Sequence, residues 1–84
     1  MPIMRAKMVV ESVQRFEKSE ILKFRAVPKS TAYPEDGSDE DNTFAKWSPT
    51  ADLQIHVTNP SLFGKLNPGE KYYVDFTIAE LAKN

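Results

Sequence analysis

Apolar side chains recur at every second position in several separated stretches of this chain, and that two-residue period constrains the fold more than any other feature. It is the mark of strands with one buried face. In residues 3–15, Met4, Ala6, Met8 and Val10 share one parity, with Arg5, Lys7 and Glu11 on the other. A helix there would have to carry the β-branched Val9, Val10 and Val13 on different faces. Residues 20–27 repeat the pattern with Leu22, Phe24 and Ala26 against Lys23 and Arg25. Folding the two stretches about residue 18 sets Val10 opposite Ala26 and Glu11 opposite Arg25, so burial and a cross-strand charge pair favour the same hairpin. Pro28 cannot donate to a ladder and ends the second strand.

The clearest strand is 52–58, where Leu53, Ile55 and Val57 point one way and polar residues the other. Asn59 then suits a helix N-cap and Pro60 a first helical position. One helical turn near 60–64 follows, with Leu62 or Phe63 plugging an end of the core and Gly64 in the left-handed conformation. Asn67-Pro68-Gly69-Glu70 has the signature of a type II turn. The last strand, 71–78, turns Tyr72, Val74, Phe76 and Ile78 inward. A further short strand over 43–47 is admissible. The tail, 79–84, is too short to hold a helix alone and is expected to fray or dock weakly.

These elements predict an all-β fold: one domain over residues 1–84, a small antiparallel barrel or sandwich of four to five strands. Its inner face would be Met4, Ala6, Met8, Val10, Leu22, Phe24, Ala26, Leu53, Ile55, Val57, Tyr72, Val74 and Phe76. At roughly 25 cal/mol per Å² such a core offsets chain entropy only narrowly. A homo-oligomer or a bound partner would help. With no cysteine, neither disulfides nor Cys-based zinc sites can compensate. The N-terminal residues lack the apolar core of a signal peptide, and the longest apolar run, Met8 to Val10, is far too short to cross a bilayer. The expectation is a soluble chain, neither secreted by a signal peptide nor in a membrane.

Residues 28–43 break the period and read as loop. The segment Tyr33 to Pro49, YPEDGSDEDNTFAKWSP, places Glu35, Asp36, Asp39, Glu40 and Asp41 within seven positions and follows them with Phe44 and Trp47. The net charge is only −1, but five of the twelve acids crowd into this loop, which makes it one negative promontory. Protein recognition is the favoured reading. The carboxylates would dock an Arg/Lys surface, and Tyr33, Phe44 and Trp47 would serve as anchors. A calcium loop built from Asp36, Ser38, Glu40 and Asn42 is a weaker one, because Gly37 is misplaced and Trp47 stands where an EF-hand has glutamate. Phosphate mimicry needs acids over more of the surface. The plain alternative is a solvated loop whose Asp and Asn side chains bond their own backbone.

His56 is the only histidine and shares its parity with Asp52, Gln54 and Thr58 on an outward strand face. No nucleophile motif accompanies it and no nucleotide-binding glycine motif occurs, so neither an enzyme nor a cofactor is expected. A second class is an OB-like single-stranded nucleic-acid binder using Arg5, Lys7, Lys23, Arg25 and Tyr73, with Lys71 nearby. Tyr72 and Phe76 fall on the core parity, so only Tyr73 clearly faces outward to stack a base.

The pieces FRAVPKS (24–30), YPEDGSDEDNTFAKWSP (33–49), ADLQIHVTNPSLFGK (51–65) and PGEKYYVDF (68–76) resemble a group of small, uncharacterised proteins encoded by tailed bacteriophages. They fall within residues 24–76, a span of about two thirds of the chain. The resemblance implies a phage setting, hence the virion or the host cytoplasm, and transfers no residue role. The resulting expectation is a non-enzymatic phage accessory protein that grips a phage structural protein (decoration or cement) or inhibits a host protein.

Overall fold

A computed structural model of the chain describes residues 2–80. Four strands form one antiparallel sheet in the order β3-β2-β1-β4: β1 Met4–Arg15, β2 Glu20–Ala26, β3 Asp52–Val57 and β4 Lys71–Phe76. The expected all-β, antiparallel class is therefore present, but the barrel or sandwich is not. β3 and β4 are the two edges of an open sheet. Four strands give too small a circumference to close around filled side chains. The possible strand over 43–47 is a run of turns and bends instead. Among the described residues no helix is long and apolar enough to cross a membrane. The tail, 79–84, lies largely outside the described residues.

The hairpin register differs from mirror pairing about residue 18. Met8 pairs with Ala26 and Val10 with Phe24, after which Glu11 is an extra residue and the register resumes at Ser12↔Lys23 and Val13↔Leu22. Val9, not Glu11, lies opposite Arg25. The hairpin closes at Arg15↔Glu20, where the Phe16 N–H donates to the Ser19 carbonyl at 2.8 Å. This four-residue turn cannot be reconciled with the upper register without one bulged residue. The bulge also shifts the parity of β1, which is why Val13 joins the apolar face despite its odd number.

On that face Ala6, Met8, Val10, Leu22 and Phe24 form the buried cluster, with Val13, Leu53, Val57, Tyr72 and Val74 packed around it. Phe44, Ala51 and Leu66, from the two long connections, complete the cover. Ile55 and Phe76, expected inside, are 42% and 45% exposed because each sits on an edge strand with no neighbour beyond it among the described residues. Val9 is buried on the opposite face, between its cross-strand neighbours Arg25 and Lys71. Long basic side chains commonly shelter an aliphatic residue in this way.

The β3–β4 connection follows its sequence signals closely. The Asn59 side chain accepts from the Ser61 N–H at 3.1 Å, Pro60 opens the 3-10 turn Pro60–Leu62, and Gly64 has φ +76°. In the Asn67–Glu70 turn, Gly69 supplies φ +90° and the Glu70 N–H donates to the Asn67 carbonyl at 3.1 Å. Leu62 is exposed rather than plugging the core, and Phe63 lies under the Arg15 guanidinium, 5.3 Å from its ring centre. What anchors the segment is Glu20. Its side chain is buried, and Oε2 accepts from both Arg15 and the Gly64 N–H. One carboxylate thus ties the hairpin end to a loop 44 positions away.

Candidate functional site

The acidic segment is built around Asn42, a fully buried side chain at the fork where β1 and β2 part. Beyond Ala26 the Val27 N–H still donates to the Lys7 carbonyl, but the return bond from the Lys7 N–H to the Val27 carbonyl is not made directly. The Asn42 carboxamide fills that place. Its Oδ1 accepts from the Lys7 N–H at 2.9 Å, and its Nδ2 donates to the Val27 carbonyl at 2.9 Å and to Asp39 Oδ2 at 3.2 Å. A side-chain amide has the same donor and acceptor as a peptide group, so it can stand in for one in a ladder. Thr43 continues the seam. Its N–H donates to the Arg5 carbonyl and its Oγ1 accepts from the Arg5 N–H, both at 2.9 Å.

From this anchor the loop turns back on itself. Asp39 is buried and accepts from the Asp41 N–H at 3.0 Å, while its carbonyl receives the Asn42 N–H. Asp36 Oδ1 accepts from the Ser38 N–H, and the Gly37 N–H donates to the Pro34 carbonyl. The ends of this arch meet where the Trp47 N–H donates to the Gly37 carbonyl at 2.8 Å. Trp47 has φ +55°, a left-handed conformation that a bulky residue adopts only when its surroundings enforce it. Its indole lies flat against Gly37, so closely that a Cβ at residue 37 would stand 2.4 Å from Cδ2. The outer side of the ring remains half-exposed.

The expected partner-binding residues therefore separate into two groups. Asp39 is structural, Phe44 packs on the core, and Tyr33 is half-buried with its hydroxyl accepting from the Lys29 N–H. Asp41 is drawn onto the sheet. Lys7 Nζ lies 3.7 Å from Oδ2, and the Tyr73 hydroxyl donates to Oδ1 at 3.0 Å. Glu35, Asp36, Glu40 and Trp47 stay on the outside, and Glu40 is 84% exposed even though Lys29 Nζ approaches to 3.4 Å. Asn42, one of the four oxygens of the calcium reading, points into the sheet with its amide oxygen and nitrogen both hydrogen-bonded, which takes it away from the other three.

The nucleic-acid set divides too. Arg5 pairs with Asp75 through Nε at 2.6 Å and covers the Tyr73 ring at 4.4 Å, so Tyr73 already carries a cation on its face. Lys7 is matched by Asp41. Lys23 and Arg25 lie on the same sheet face but on β2, exposed, with Arg25 opposite Asp52. His56 is exposed, its Nε2 3.0 Å from the Gln54 amide. Asn42 and Glu20 are the functional-looking side chains that periodicity does not flag. Asparagine and glutamate are usually exposed, and no local pattern distinguishes these two from their neighbours.

These bonds shift titrations in predictable directions. The hydrogen bonds from Arg5 hold Asp75 below the ordinary aspartate value, and the Ser38 backbone N–H does the same for Asp36. Glu70 is lowered chiefly by the Tyr72 hydroxyl and then by the Asn67 N–H. A carboxylate depressed in the folded state contributes stability that is complete above its unfolded pKa and lost as pH falls through the folded value. Urea midpoints should therefore hold from neutral pH down to about 5 and decline below it. Tyr73 and Tyr72 shift upward because each donates to a carboxylate, Asp41 and Glu70 respectively. Their contribution is complete below the ordinary phenol value and lost above the raised one, and a phenolate absorbance titration should show both ionising late.

No protein-family model matches the chain, and neither a curated protein nor a solved structure does.

Proposed function

We propose that this chain is a non-enzymatic protein-binding module whose contact surface is the outer arch of the 33–49 loop, with Trp47 as its anchor. The observation that supports this most is the state of Trp47: half-exposed, in a left-handed backbone conformation, and fixed against Gly37. A rigid aromatic already held in place loses little conformational entropy on binding, and Trp is among the residues enriched at interface hot spots. Glu35, Asp36 and Glu40 stand on the same loop, so the complementary surface should carry Arg or Lys around an apolar pocket. Arg5, Lys7 and Tyr73 are occupied by Asp75, Asp41 and each other, which weakens the nucleic-acid alternative. In the phage setting that the sequence resemblance implies, the partner would be a virion component or a host protein.

The test begins with affinity capture from infected cells and from purified particles, followed by titration of the captured partner. Trp47→Ala should weaken binding at least about tenfold. Glu35→Lys with Glu40→Lys should slow association and reduce its salt dependence. Asp39 and Asp41 are unsuitable probes, since both hold the loop together. Unchanged affinity in the Trp47 and the charge variants would reject the loop as the contact surface.

A further inference from the structure

The free edge of β3 points to a partner of a particular kind. The Ala26 N–H donates to the Ala51 carbonyl at 3.1 Å, and the register runs on through Phe24↔Leu53, Leu22↔Ile55 and Glu20↔Val57. Hydrogen-bonded and non-bonded pairs alternate along an antiparallel ladder. Leu53, Ile55 and Val57 therefore direct their peptide groups toward β2, while Asp52, Gln54 and His56 direct theirs outward to an edge that has no strand beyond it among the described residues. Edge strands of stable monomers are normally guarded by lysine, proline or a bulge. Apart from Asp52 at its first position, β3 carries no Lys, Arg, Asp, Glu or Pro, and its pairing with β2 runs without a bulge. β4, at the other edge, carries Lys71 and Asp75.

We infer that the β3 edge pairs with β3 of a second copy of this chain, antiparallel about a two-fold axis through Ile55, giving one continuous eight-stranded sheet. The segment is its own complement in that register. Gln54 would exchange both backbone bonds with the partner's His56. Asp52 would meet the partner's Thr58, so no like charges face each other. On the apolar side Leu53 would lie against the partner's Val57, and Ile55 against the partner's Ile55, in the closer-spaced non-hydrogen-bonded position. Shifting the strands by two residues sets Val57 against the partner's Ala51 in one direction and Leu53 against the partner's Asn59 in the other. The 42% exposure of Ile55 is what this arrangement removes. An eight-stranded sheet would place two Trp47 loops on one particle, so the pairing is compatible with the binding role proposed above and independent of it.

The chain has no cysteine, which allows a gain-of-signal test. With Ile55→Cys, mild oxidation of the full-length protein should give a disulfide-linked dimer in near-quantitative yield, because paired Cβ atoms in that position come within bridging distance. Light scattering of the unmodified chain across a micromolar to near-millimolar series should rise toward twice the monomer mass. Ile55→Lys and, separately, Gln54→Pro should restore the monomer mass with the β-sheet circular dichroism retained, since the Gln54 N–H makes no bond to β2. Lys71→Glu, which would oppose the partner's Asp75 in a β4–β4 pairing, should leave the dimer intact. A chain monomeric throughout the series, no crosslink at residue 55, or a dimer lost on Lys71→Glu but kept in Ile55→Lys would each overturn the inference.

Discussion

Replacing Asn42 with alanine should lower stability by about 3 kcal/mol. The alanine removes an acceptor from the Lys7 N–H and a donor from both the Val27 carbonyl and Asp39. None of these groups gains a protein partner in exchange, and each buried polar group left unsatisfied costs roughly 1–3 kcal/mol. A domain of this length holds on the order of 4–12 kcal/mol in all. The melting temperature should consequently fall by roughly 12–24 °C. Thr43→Ala is the matched comparison. It deletes one acceptor from the neighbouring Arg5 N–H at an exposed position, where water can replace it, and should cost under about 1 kcal/mol. A loss for Asn42→Ala no greater than that for Thr43→Ala, read by urea denaturation, would mean that Asn42 decorates the fork rather than holding it.

Gly37→Ala should act more locally and almost as strongly. Two costs coincide there. Gly37 has φ +74°, which disfavours any side chain by about 1–2 kcal/mol. The new methyl would also stand 2.4–2.6 Å from three atoms of the indole, which must move aside. Displacing a packed ring of this size costs about 1–3 kcal/mol more. Gly69→Ala separates the two contributions. Gly69 has a comparable φ of +90° with nothing within 4 Å of its Cβ position, so only the backbone cost applies. The expected result is a red-shifted tryptophan emission and weakened partner binding for Gly37→Ala, with neither change for Gly69→Ala. Because Trp47 is the only tryptophan, the emission reports on this contact alone. Identical spectra for the two variants would show that the ring does not rest on Gly37 in solution.

The strands were legible in the sequence because burial on one face imposes its own period. Leu53, Ile55 and Val57 need only be counted to be placed on one side of β3. The 59–64 and 67–70 turns were legible for a similar reason, since Asn59, Pro60, Gly64, Pro68 and Gly69 act through local backbone geometry. What alternation does not encode is which strand lies beside which. A face assignment for Phe76 says nothing about whether another strand flanks β4, and so the closed barrel gave way to an open sheet with exposed edges. The Glu11 bulge escaped for the same reason, since only the mismatch between the turn and the upper register demands it.

The loop illustrates a different limit. Its five acids read as a promontory, yet Asp39 and Asp41 serve the fold because their partners are Asn42, Lys7 and Tyr73. Asn42 meets the Lys7 N–H across 35 positions and Glu20 meets the Gly64 N–H across 44. A polar side chain that works by completing someone else's ladder has no signature of its own, because the vacancy it fills is created elsewhere.

Whether the 33–49 loop is locked before any partner arrives is best decided by amide hydrogen exchange of the free, full-length chain, read at Lys7, Thr43 and Trp47. Their N–H groups bond to Asn42 Oδ1, the Arg5 carbonyl and the Gly37 carbonyl. A locked loop gives protection at all three, approaching that of Val10 at the centre of the sheet. Exchange of Thr43 and Trp47 at the rate of an unstructured chain, with Val10 still protected, would contradict it.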